Sequence, residues 1–86
     1  MTPRTRGLIK SVHSAEQKVF LDLLVKARKN AGLTQQEVAS RLKKSQSFVA
    51  RYEGGERRID VVEFLEVARA LDADPVRLLK SLIRQV

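Results

Sequence analysis

Apolar residues return along this chain every three or four positions, and no segment alternates with period two, a pattern that predicts helices and no strands. Phe20, Leu23, Leu24 and Ala27 mark the apolar face of a first helix. Ser14 and Gln17 stand ahead of it at capping-box spacing, and Gly32 stops it. Thr34 and Glu37 repeat that spacing before Val38, Ala39 and Leu42. Ser45 is the next cap, with Val49 and Tyr52 at helical spacing behind it and Gly54-Gly55 as the stop. Asp60 and Glu63 open a fourth helix expected to bury Val61, Phe64, Leu65, Ala68 and Leu71. Asp74-Pro75 opens a fifth, because proline at the first helical position gives up no hydrogen bond. The expectation is an all-α, compact five-helix domain over residues 13–86. Residues 1–12 carry Arg4, Arg6 and Lys10 without periodicity and read as a flexible basic arm.

The stretch from Gly32 to Glu53 carries most of the functional information. Two short helical patterns separated by a tight polar connection make a helix-turn-helix, the unit that lays its second helix in the DNA major groove. Composition agrees in sign: the formal net charge is +7 over 86 residues and the pI is about 10.4, both of which favour a polyanionic partner. Charge alone would also allow an anionic membrane surface. No helix here combines a basic face with bulky aromatics on the apolar side, and no apolar run approaches the roughly 18 residues of a membrane span.

The same residues resemble the Cro/C1-type (XRE-like) helix-turn-helix family of phage repressors and bacterial regulators. The resemblance runs from about Leu24 to Leu79. It rests on Arg28…Gly32-Leu33-Thr34-Gln35, Val38-Ala39…Leu42, Ser45-Gln46-Ser47…Val49…Arg51-Tyr52-Glu53-Gly54 and Ala68…Leu71…Asp74-Pro75…Leu79. It implies a lambda-repressor-like domain whose helices 2 and 3 form the helix-turn-helix. Lys43 departs from the pattern, standing where glycine is usual, and Lys44 stands where a small apolar residue is common. A left-handed backbone at Lys43 costs about 1 kcal/mol, which leaves the shape of the turn open.

Within that frame each polar residue has an expected task. Gln46 and Ser47 lie in the first turn of helix 3, opposite Val49 and Tyr52. A glutamine amide can accept from N6 and donate to N7 of adenine, which suits Gln46 to a base edge. By resemblance Gln46, Ser47 and Arg51 contact bases, Arg51 with a phosphate as its equal alternative. Gln35 begins helix 2, where unpaired N–H groups and the helix dipole attract phosphate. The resemblance makes it a phosphate contact that also braces the start of helix 3. Lys43, Lys44, Arg57 and Arg58 are further backbone candidates, adding affinity without sequence information. Phe48 could meet a thymine methyl, but packing sideways against the core is the preferred reading. Arg28 and Glu53 match the family's ion pair between the ends of helices 1 and 3, a structural task.

Catalysis finds no support. His13 has no metal-ligating neighbours at suitable spacing, there is no cysteine, and Gly54-Gly55 lacks the lysine and hydroxyl residue of a phosphate loop. The expectation is a cytoplasmic, sequence-specific regulator of double-stranded DNA without cofactor, metal or evident small-molecule ligand. A repressor acting as a homodimer on a palindromic operator is the leading form. Helix 5 carries more apolar residues than one face can bury, and Leu79, Leu82, Ile83 and Val86 are its expected dimer interface. The alternative is an antitoxin or another protein-interaction module on the same fold.

Overall fold

The computed structural model of the chain describes residues 14–86, so the expected arm and His13 lie outside the described residues. Five helices follow in order: α1 (Ala15–Asn30), α2 (Gln35–Leu42), α3 (Gln46–Glu53), α4 (Val61–Ala70) and α5 (Pro75–Gln85). Ser14, Thr34, Asp60 and Asp74 each accept a backbone N–H at a helix start, and Thr34–Glu37 and Asp60–Glu63 form complete capping boxes. Ser45 differs from its expected role. It holds the N-cap position of α3 with extended backbone but makes no capping bond through its side chain; its hydroxyl lies 2.9 Å from that of Ser47 instead.

The first four helices end alike. In each, the N–H five residues on returns to the first carbonyl of a Schellman motif: Leu33 to Arg28, Lys44 to Ala39, Glu56 to Arg51 and Ala73 to Ala68. The left-handed residue such a motif needs is Gly32, Lys43, Gly55 and Asp72 in turn, with φ of 73°, 59°, 82° and 57°. Two of the four are therefore not glycine. Lys43 does adopt the left-handed backbone, which settles the open shape of the turn between α2 and α3 at the cost of a strained lysine.

α2 packs on α3 and α4, α1 on α3 and α5, and α4 on α5. Their shared core is Leu21, Leu24, Val38, Ala39, Val49, Tyr52, Phe64, Val67, Ala70 and Leu71. Ala68 is fully buried as well. Phe20 packs against this core and stacks obliquely on Phe64 at 5.5 Å between ring centroids. Of the five residues expected inward on α4, Phe64, Ala68 and Leu71 are buried and Val61 and Leu65 are not. Val61 is 74% exposed and Leu65 37%, while Val67 and Ala70 take inward places. The capping box fixes where α4 begins but not its rotation, which follows from the fit of Phe64, Val67 and Leu71 against α1 and α2.

On α5, Leu78 packs on the core and Leu82 is half-buried. Val76, Leu79, Ile83 and Val86 remain exposed and share one stripe, since they follow at intervals of three and four.

Candidate nucleic-acid interface

The geometry of the helix-turn-helix begins at Arg28 in the last turn of α1. Its guanidinium donates to both oxygens of Glu53, through Nε at 2.7 Å and Nη2 at 3.1 Å. The remaining amino group, Nη1, donates to the Leu33 carbonyl at 3.0 Å. The pair is largely buried, with side chains 13% and 6% exposed. Hydrogen bonding to Glu53 holds the guanidinium pKa above its ordinary value. One side chain thus ties the end of α1, the loop before α2 and the end of α3.

The ladder continues outward. Glu53 also accepts from the Gln35 amide at 2.8 Å, and Gln35 in turn accepts from the Gln46 amide at 2.6 Å. Buried charge therefore runs through two neutral amides to the surface at the first residue of α3. The amide nitrogen of Gln46 is oriented by Gln35, and its oxygen is left to accept from an external donor. A glutamine held in this way has less rotamer freedom to lose when a ligand arrives, which lowers the cost of a bidentate contact. Gln35 thus meets the first residue of α3, and Arg28 meets Glu53 across the ends of α1 and α3.

The other expected contact residues fall around this ladder. Gln46, Ser47 and Arg51 are exposed on α3, away from the buried Val49 and Tyr52. Lys43 and Lys44 are exposed in the turn, and Arg58 is exposed ahead of α4. Arg57 behaves differently. Its guanidinium is forked onto Glu63 at 2.9 and 3.1 Å and donates to the Arg58 carbonyl at 2.8 Å. The side-chain bond from Arg57, followed by the backbone bond from Asp60, keeps the Glu63 carboxyl below its usual range.

Phe48 takes the packing role. It is half-buried, meets Tyr52 edge-on at 5.6 Å, and lies under both the Lys44 ammonium (5.3 Å) and the Arg57 guanidinium (4.8 Å). The partnership of Arg57 with Glu63 and Phe48 is not legible in the sequence, because it crosses an irregular loop with no period to reveal it. Arg41 makes a second such contact that no sequence period reveals. It donates to the Ala70 carbonyl at 2.8 Å and pairs with Asp72 at 3.3 Å, joining α2 to the end of α4.

A family model described as helix-turn-helix matches residues 24–78, the whole of this ladder and most of the core. The chain belongs to the helix-turn-helix family. Its members of this Cro/C1 (XRE-like) kind are DNA-binding regulators. Among solved structures, the chain is similar to an XRE-family like protein from Pseudomonas syringae pv. tomato str. DC3000. The two share 42% identity over 96% of this chain and 98% of that one, with a TM-score of 0.84. It is also similar to the restriction-modification controller protein C.AhdI from Aeromonas hydrophila, at 32% identity over 76% of this chain and 98% of that one, with a TM-score of 0.69. A third similar structure is the restriction-modification controller C.Esp1396I, solved as a tetramer in complex with its natural 35-base-pair operator. Identity there is 18% over 84% of this chain and 95% of that one, at a TM-score of 0.76, a likeness of fold alone. No curated protein sequence matches.

Proposed function

We propose that this helix-turn-helix protein is a sequence-specific regulator of double-stranded DNA, acting as a homodimer and repressing by occupancy. The observation that carries the reading is the ladder from Arg28 through Glu53 and Gln35 to Gln46, which fixes α3 at both ends and orients an amide at its exposed start. Gln46 and Ser47 would meet base edges, with Arg51 reaching a guanine or a phosphate. Gln35, Lys43, Lys44 and Arg58 would meet the backbone, where they add affinity and a steep salt dependence. Arg57 is the weakest of the expected backbone contacts, since its fork is already closed on Glu63.

The homodimer rests on α5. Val76, Leu79, Ile83 and Val86 form an exposed apolar stripe on the last helix. An isologous pairing of two such stripes would bury them and set the distance between the two α3 helices. C.Esp1396I, solved on its operator as a tetramer, supports an assembly of more than one copy.

Selection from a pool of random duplexes tests the reading. The expected winner is an inverted repeat with half-sites about one helical turn, roughly 34 Å, apart. A pool that returns no enriched sequence would overturn sequence specificity, and a single unrepeated half-site would overturn the dimer.

A further inference from the structure

The cluster around Phe48 lies outside the ladder. Its ring sits between the turn before α3 and the loop after it, and each supplies one cation to it: Lys44 at 5.3 Å and Arg57 at 4.8 Å from the centroid. Two like charges within about 10 Å of each other repel and would ordinarily turn apart into water. Here Arg57 is closed on the Glu63 carboxylate, which the Asp60 N–H anchors in turn as part of the α4 capping box. The negative face of the aromatic ring offers the Lys44 ammonium a seat. The ring is itself fixed edge-on against the fully buried Tyr52. An exposed lysine next to the recognition helix is thereby given a preferred position by a chain of contacts from the core outward.

Resting on the DNA-binding reading above, we propose that Phe48 is a positioning residue. Locked by Tyr52 on one side and by the Arg57–Glu63 fork on the other, it holds the Lys44 ammonium for a DNA backbone phosphate beside α3. Its contribution is then independent of base sequence. A ring that read a thymine methyl would act only on duplexes bearing that base. Arg57 takes part as the fixed wall of the seat, and its own charge stays directed at Glu63.

The test uses the full chain and a mixed-sequence duplex of about thirty base pairs as the probe. Phe48 is replaced by phenylalanines carrying one, two and three ring fluorines, which drain the negative face while keeping the shape that the fold needs. Affinity for this duplex should fall stepwise with fluorine content, about three- to tenfold in all. The dependence of log affinity on log salt should flatten by up to one unit. In a Lys44→Gln background the same series should have no effect. Affinity that stays level across the series in the wild-type background overturns the proposal, as does an equal decline with and without Lys44. A wild-type chain that binds this duplex with no salt dependence overturns the DNA-binding reading and this proposal together. Failure of the fluorine series alone leaves that reading standing.

Discussion

The Tyr52 hydroxyl lies in the core with no hydrogen-bond partner among the described residues, and burial pushes its pKa upward, so it stays neutral. A buried, unpaired hydroxyl costs about 1–3 kcal/mol. Tyr52→Phe keeps the ring and its edge contact with Phe48, and should raise the melting temperature by several degrees, about 4–8 °C per kcal/mol in a domain of this size. A lowered melting temperature would show that the hydroxyl has a partner. Two capping-box carboxylates carry an acid sensitivity. Glu37 is held below its ordinary pKa of 4.5 by the Thr34 backbone N–H, and Glu63 chiefly by Arg57. For a depressed carboxyl the stabilisation is present above the unfolded pKa and is lost as pH falls through the folded value. Thermal melts of the wild type and Glu63→Gln should therefore differ above pH 4.5 and converge below it; a gap that widens in acid would contradict the assignment. Residue identities such as Tyr52 inward and Gln46 outward were legible from helical spacing. The orphan hydroxyl was not, because pairing depends on what the tertiary packing brings to its tip.

Among the elements, the α2–α3 turn gives the sharpest test. Lys43 occupies a left-handed backbone that glycine adopts without strain. Lys43→Gly should stabilise the fold by about 1 kcal/mol, read as a higher denaturation midpoint with an unchanged slope, and it should weaken DNA binding only through the lost charge. A destabilised variant would mean that the lysine side chain contributes more than its backbone strain costs. The brace of α3 invites a double-mutant cycle. Glu53→Gln strands the Arg28 charge and loosens Gln35, so stability and DNA affinity should both fall; removing one partner of a buried pair costs about 3–5 kcal/mol. Arg28→Met with Glu53→Gln should recover part of the stability, and strictly additive losses would show no coupling. The helices themselves were readable from their caps. What escaped was rotation and closure: the inward face of α4, the missing side-chain cap at Ser45 and the left-handed Asp72 are set by packing and by the Schellman geometry of the ends. None leaves a periodic trace in sequence.

For the molecule as a whole, the stripe on α5 is the feature that a lone five-helix domain leaves unexplained. Leu82 is half-buried within the chain, so the exposed Leu79 and Ile83 are the places to break a dimer without touching the fold. Leu79→Glu with Ile83→Lys should sediment as a folded monomer and lose cooperative binding to a palindrome. A wild-type chain that is monomeric at tens of micromolar (on the order of weak-dimer affinities) and remains so on DNA would contradict the assembly. The central claim, that α3 reads sequence through an amide held in place from the core, is tested most directly at Gln46. On the duplex selected by the wild type, Gln46→Ala should lose about 1–3 kcal/mol and relax preference at one symmetry-related pair of positions, while its affinity for random duplex stays level. Equal losses on the selected and the random duplex would contradict it.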